Sequence, residues 1–139
     1  MITLQPRIPY QTTIISYMPH PIRGEQINFG VVVCQANLQI CQTALLPPTT
    51  KKGIYLFDTI DEHQLFVETL KLLTCKLKHM TNLDELKAVI KSLRLVTMSP
   101  LHPYMTSNFD QILPTLIKTY LGTTCPVIKI QNTKNNELN

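Results

Sequence analysis

The chain has little charge, few glycines and no tryptophan. Asp, Glu, Lys and Arg make up 16% of its 139 residues, below the roughly 25% typical of soluble domains. Its four glycines form no glycine-rich phosphate loop. No apolar run approaches the ~18 residues of a membrane span, and no apolar stretch with a small-residue cleavage site opens the chain. We therefore expect no nucleotide loop, no membrane association and a cytoplasmic location.

The cysteines lack the spacing of a metal site. Cys34, Cys41, Cys75 and Cys125 form no C-x-x-C pair and no Cys/His ligand pattern. This usage is typical of reduced cysteines in the cytosol. The alternative is a cross-strand disulfide between Cys34 and Cys41, which flank a predicted hairpin. The four histidines are also scattered, at positions 20, 63, 79 and 102, so we expect no metal and no cofactor.

The positive charge is mild and dispersed. The net charge is +4, and a dedicated nucleic-acid-binding domain usually carries a denser basic stripe. We interpret the dispersed lysines as residues on the solvated faces of helices, and we therefore do not expect a nucleic-acid partner. The alternative is a phosphate-binding track that includes Lys51 and Lys52. The low total charge itself indicates either a surface partly covered by a partner or one rich in Thr, Asn and Gln.

Three segments have the composition of β-strands. β-Branched and aromatic residues fill 11–18, a continuous run of valines around Gly30 fills 26–35, and 38–46 partly alternates. The valine run predicts a strand buried on both faces, and Gly30 predicts a bulge or a close backbone approach. The first ten residues are predicted to be an irregular lead-in, and Ala36-Asn37 a tight turn with Asn at positive φ.

Helical periodicity follows the strands. Leucines at helical spacing predict a helix over 61–79, and Asn82 with Glu85 predicts a capping box at the start of a second helix. Residues 49–60 are ambiguous between a short strand and an apolar loop. An edge strand is predicted over 94–98, a proline-rich loop over 99–103, and a third helix over 108–121, kinked at Pro114 or beginning near 113, that ends at Gly122.

These elements predict one α+β domain. Hydrophobic residues make up 44% of the chain, enough for a packed core. We expect a small antiparallel sheet of about three to four strands, with two to three helices packed on one face. The domain is predicted to span 1–130, and the polar residues 131–139 to form a disordered tail.

The densest group of polar residues lies where the first strand ends and the second begins. Pro19 and Pro21 stiffen this loop, and its candidate binding residues are Tyr17, His20, Arg23, Glu25 and Asn28. In one interpretation, Arg23 and Glu25 pair with each other and Asn28 satisfies the backbone near the bulge. In the other, they form a pocket in which Arg23 holds a carboxylate or phosphate. No nucleophile stands near them in a known spacing, so no catalytic residue is assigned.

This stretch resembles a known family. The run Tyr17-Met-Pro-His-Pro-Ile-Arg-Gly-Glu-Gln-Ile-Asn-Phe-Gly-Val-Val-Val33 is similar to the signature Y-x-P-x-P-x-R-G-E-x-x-N-x-G-V-V of the bacterial DUF3037 family, a group of proteins of unknown function. Arg23, Gly24, Glu25, Asn28 and Gly30 are kept. Ser16 stands where the family often has Arg, His20 replaces Asp and Phe29 replaces Val, and these losses argue against an acid–base site. Members are often encoded beside a kinase similar to the HipA toxin, so the resemblance implies a partner or antitoxin-like role.

We therefore expect a non-enzymatic interaction or accessory protein whose partner is another protein. The resemblance suggests a HipA-like kinase, and a phage or mobile-element inhibitor of a host defence protein is equally consistent with a short, weakly charged chain. The first alternative is a small-ligand-binding protein or enzyme that uses Arg23, Glu25 and Asn28. The second is a weak nucleic-acid binder that uses Lys51 and Lys52.

Overall fold

The chain forms a six-stranded sheet and three α-helices in the part that the computed structural model describes, residues 7–122 and 126–132. In chain order the elements are β1 (Ile8–Tyr17), β2 (Ile27–Gln35), β3 (Ile40–Leu45), α1 (Ile60–Leu77), α2 (Leu83–Lys91), β4 (Val96–Met98), β5 (His102–Thr106), α3 (Ile112–Leu116) and β6 (Ile128–Gln131). The α+β class is therefore confirmed. Among the described residues, no helix is both long enough and apolar enough to cross a membrane.

The sheet is antiparallel and larger than predicted. Its strand order is β4-β1-β2-β3-β6. β4 pairs with Ile15–Tyr17 of β1, and β5 pairs with Ile8–Thr12 of the same strand. The prediction of three to four strands was wrong because β5 and β6 carry weak strand signals. Pro103 lies inside β5, in the stretch predicted to be a loop; an edge strand tolerates proline since one side of it needs no N–H donor. β1 also begins earlier than predicted, at Ile8, because its first residues pair with β5.

Helices cover both faces of this sheet. Tyr10 and Tyr17 lie seven positions apart in β1, so their side chains point to opposite faces. The Tyr17 ring packs on Phe66 of α1, with centroids 4.8 Å apart, and the Tyr10 ring packs 5.2 Å from Phe109, which precedes α3. The prediction of helices on one face was therefore wrong. The valine run of β2 predicted a strand buried on both faces, and Val31, Val32 and Val33 are fully buried in the structure.

Of the two forms predicted for the irregularity at Gly30, a bulge or a close backbone approach, the structure has the bulge. Ile15 pairs with Gly30 but Ser16 pairs with Asn28, so Phe29 is the extra residue of a β-bulge. A Cβ atom on Gly30 would lie 2.6 Å from Leu45 Cδ2, so the Leu45 side chain fills the space that a larger residue here would need. Glycine at this position lets β3 pack against the bulged strand.

The turns and caps follow the sequence closely, with one shift. Asn82 and Glu85 form the predicted capping box of α2. In the hairpin, the positive φ falls on Leu38 and not on Asn37, whose Oδ1 accepts the Gln39 N–H at 3.0 Å. The ambiguous 49–60 segment contains a 3₁₀ turn, Ile54–Leu56, and no strand.

The third helical segment is composite. It runs from a 3₁₀ turn through α3 into a π-helical turn, Ile117–Leu121, and ends at Gly122 with a φ of 98°. Pro114 lies in the first turn of α3, where its missing N–H costs little. After the gap in the described residues, β6 ends on Gln131, the residue at which the sequence predicted the tail to begin; residues 133–139 lie outside the described part of the chain.

The alternative disulfide between Cys34 and Cys41 is not formed. Both side chains are buried, and no disulfide bond joins them. Burial raises the pKa of the Cys34 thiol to about 12, with a smaller contribution from Cys41. Cys125 lies outside the described residues.

Candidate functional site

The proline-rich loop between β1 and β2 is a closed turn. The Arg23 backbone N–H donates to the His20 carbonyl at 3.0 Å, and the Gly24 N–H donates to the Pro21 carbonyl at 3.2 Å. Gly24 has a φ of 72°, a conformation that favours glycine. The turn fixes the positions from which His20 and Arg23 project.

These side chains meet the start of α1. His20 Nε2 lies 3.2 Å from Glu62 Oε1 and 3.4 Å from Asp58 Oδ2. Arg23 Nη2 donates to the same Asp58 oxygen at 3.2 Å, and its Nε lies 3.5 Å from Glu25 Oε1. We call His20, Arg23, Glu25, Asp58 and Glu62 the loop cluster. It joins the loop to a segment that lies more than 30 residues further along the chain.

Asp58 lies just before the N-cap of α1 and Glu62 lies in its first turn. Thr59 is the N-cap, and its hydroxyl accepts the Glu62 backbone N–H at 3.1 Å. Glu62 Oε1 in turn accepts the Asp58 N–H at 2.9 Å. Negative charge is favourable at this end of a helix because the free N–H groups point toward it. The cap therefore fixes the Asp58 backbone and the Glu62 carboxylate, while the Asp58 carboxylate contacts Arg23 and His20 of the loop.

The five predicted site residues do not share a cleft. Tyr17 is buried against Phe57 and Phe66; burial, and to a lesser degree Glu62, raises the pKa of its hydroxyl to about 12. Asn28 Oδ1 accepts a hydrogen bond from the Ser16 hydroxyl at 2.8 Å, beside the bulge. Only three of the five, at positions 20, 23 and 25, belong to the loop cluster.

Arg23 and Glu25 are both engaged in ion pairs within the chain. This arrangement favours the interpretation in which they fix the loop over the one in which they line a ligand pocket. Asp58 and Glu62 were missed by sequence reasoning. The Asp58-Thr59 run before α1 has the composition of a helix N-cap, a local signal that says nothing about the loop that reaches it.

The comparisons with known proteins give one match. The model of a family described as "Protein of unknown function (DUF3037)" matches residues 12–121. The chain belongs to the DUF3037 family. This match confirms the resemblance predicted from the loop sequence, and it includes the whole loop cluster. No curated protein and no solved structure matches the chain.

The candidate nucleic-acid lysines of this DUF3037 protein do not form a common patch. Lys52 Nζ donates to three backbone carbonyls, those of Asn28 at 3.3 Å, Tyr120 at 3.3 Å and Leu121 at 3.1 Å. Two of these carbonyls end the π-helical turn, where a helix lacks partners and favours a cation. Lys52 therefore ties the third helical segment to the bulge of β2.

Large apolar side chains are exposed on the two chain segments that form the loop cluster of this DUF3037 protein. Ile22, in the loop itself, is 102% exposed, and Tyr55 and Ile60, which flank Asp58 in sequence, are each 83% exposed. We call Ile22, Tyr55 and Ile60 the apolar rim. Leu65 is also exposed and lines a groove of about 300 Å³ between α1 and the segment before β4.

Proposed function

We propose that this DUF3037 protein is a non-enzymatic interaction protein that binds another protein through the apolar rim. The observation that carries the proposal is the exposure of Ile22, Tyr55 and Ile60 on two segments joined by ion pairs. Scattered exposed apolar residues are ordinary on a protein surface. Three of them beside one structured cluster, on a chain with little charge, favour a binding surface.

The energetics of the rim suit a protein partner. Burying one aliphatic or aromatic side chain completely contributes about 1.5–3 kcal/mol. A few such anchors dominate typical interfaces, while charged groups around them remain near solvent. The rim supplies the anchors, and Arg23, Glu25 and Asp58, all partly exposed, supply the polar surround.

The chemistry of the cluster supports a non-enzymatic role. His20 faces two carboxylates and not a hydroxyl or thiol, so the loop cluster does not contain the nucleophile–base pair of covalent catalysis. The small-ligand alternative is less favoured because Arg23 and Glu25 pair with each other and Asn28 bonds to Ser16. The nucleic-acid alternative is less favoured because Lys52 is bound to carbonyls.

The partner proposed first is a HipA-like kinase, the kind of partner that the resemblance to the family implies. The test is coexpression of the two full chains, followed by size-exclusion chromatography with light scattering. Wild type should co-elute with the kinase, and the double variant Ile22→Ser/Ile60→Ser should not. Met105→Ser is the matched control, since Met105 is 53% exposed on β5 and lies outside the rim; it should behave as wild type.

Each result of this test decides one part of the proposal. Co-elution of the double variant would show that the rim is not the interface. Failure of wild type to co-elute would eliminate the kinase, and the same variants would then be tested against the host defence proteins that a phage or mobile-element inhibitor would target. Circular dichroism of every variant checks that loss of binding is not loss of fold.

A further inference from the structure

The histidine and the two carboxylates of the loop cluster have the spacing of metal ligands. His20 Nε2, an Asp58 carboxylate oxygen and a Glu62 carboxylate oxygen all lie within 4.8 Å of one another. The two separations from Nε2 are 3.2 and 3.4 Å. Donor atoms on a tetrahedral zinc ion with bonds of about 2.0–2.1 Å are roughly 3.3 Å apart. The two separations from Nε2 therefore match a tetrahedral ion, and the third, between the two carboxylates, is within 4.8 Å.

The surroundings of His20 Nε2 require either a proton or a metal ion at this atom. The atom is buried and has no hydrogen-bond partner within the described part of the chain, although two carboxylate oxygens lie within 3.4 Å. A neutral imidazole nitrogen that is not protonated would present its lone pair to the negative oxygens. Either a proton or a metal ion must lie between them, and buried polar atoms rarely stay unpaired.

The charge balance favours a divalent ion. With His20 neutral, the three carboxylates and one guanidinium of the loop cluster carry a net formal charge of −2. Arg23 Nη2 donates to Asp58 Oδ2, but a carboxylate offers about four lone pairs and can accept this bond while it binds an ion. The Asp58 N–H that donates to Glu62 is the kind of outer contact that orients a metal-binding carboxylate.

We propose that His20, Asp58 and Glu62 bind a divalent transition-metal ion, with Zn²⁺ the best match to the donor set and spacing. Imidazole and carboxylate donors both suit zinc. The ion would fasten the proline-rich loop to the start of α1 and so hold the loop that carries Ile22. The proposal goes beyond the proposed function and does not require it, since it concerns the isolated protein.

The test is calorimetric titration of the chelator-stripped full chain with ZnCl₂, and absorption spectroscopy with CoCl₂. One ion per chain is expected, with a cobalt spectrum that lacks a thiolate charge-transfer band. His20→Ala should weaken binding by about tenfold or more, the range that even outer-shell changes reach. His79→Ala is the control because His79 is exposed and lies next to Cys75 in a second surface hollow; it should bind as wild type.

Two further measurements keep the test decisive. Glu62→Gln keeps an oxygen acceptor for the Asp58 N–H but removes a ligand charge, so it should fold and bind zinc weakly even if His20→Ala does not fold. Zinc should also raise the Tm of wild type and leave that of Glu62→Gln unchanged. Equal zinc affinity in wild type and both variants, or no binding by wild type, would overturn the proposal.

Discussion

Replacing Lys52 with methionine should destabilise the protein, whereas the same change at Lys51 should not. Lys52 Nζ donates to the carbonyls of Asn28, Tyr120 and Leu121, while Lys51 is exposed. Methionine keeps most of the aliphatic stem and removes only the ammonium group. The pair of adjacent lysines therefore separates a structural bond from surface charge.

The size of the effect follows from which carbonyls lose their donor. The Tyr120 carbonyl is exposed and can bind water, but the bonds to Asn28 and Leu121 are partly buried. Hydrogen bonds to charged groups contribute about 1.5–3 kcal/mol net. We expect Lys52→Met to lower the free energy of unfolding by about 1.5–3 kcal/mol and the Tm by roughly 5–10 °C.

The assay is urea unfolding followed by circular dichroism, with the same baseline model for both variants. Lys51→Met should stay within about 0.5 kcal/mol of wild type, as exposed substitutions usually do. Equal stabilities for the two variants would show that the three carbonyls do not depend on Lys52. The third helical segment would then be held by its apolar contacts alone.

Two pH-dependent effects should accompany these. The pKa of Tyr17 is raised from 10.0 to about 12, so the stability that its neutral hydroxyl contributes is complete below pH 10 and is lost as the pH rises toward 12. Ultraviolet titration should show one tyrosine that ionises late, and this late step should be absent from Tyr17→Phe. An unchanged titration of the variant would contradict the assignment. Hydrogen bonds from Thr81 and Asn82 lower the pKa of Glu85. The stability that the ionised Glu85 contributes is therefore present above the pKa that this residue has in the unfolded chain, and it is lost in acid. Glu85→Gln should make the fall in Tm between pH 5 and pH 3 shallower, and an identical slope would argue against these hydrogen bonds as the source.

Local signals in this sequence predicted local structure well. The capping box depends on Asn82 and Glu85, three residues apart, so both halves of the signal lie within one turn. The buried strand β2 depends on its own valines. β5 was missed because Pro103 is a loop signal in isolation, and only its place at the edge of β1 makes it compatible with a strand.

The loop cluster shows where sequence reasoning loses information. Its loop half, His20, Arg23 and Glu25, was predicted because proline and charge are concentrated there. The other two members, Asp58 and Glu62, lie just before α1 and in its first turn. No pattern in the sequence joins residues 35 positions apart, such as Arg23 and Asp58. Lys52 is a similar case, because its carbonyl partner Leu121 lies 69 residues away. In sequence, Lys51 and Lys52 indicate a basic patch, but in the structure Lys52 has a structural role.

The same tethers bear on how the apolar rim could bind a partner. The segment that carries Tyr55 is fastened before it by Lys52 to the Asn28 carbonyl and after it by Asp58 to Arg23. Side chains presented on an ordered frame lose less conformational entropy on binding than those on a free loop. The exposure of the rim is thus a property of a fixed surface and not of a loose one. If that is correct, Lys52→Met should weaken partner binding although Lys52 is not part of the rim, and Lys51→Met should leave it unchanged.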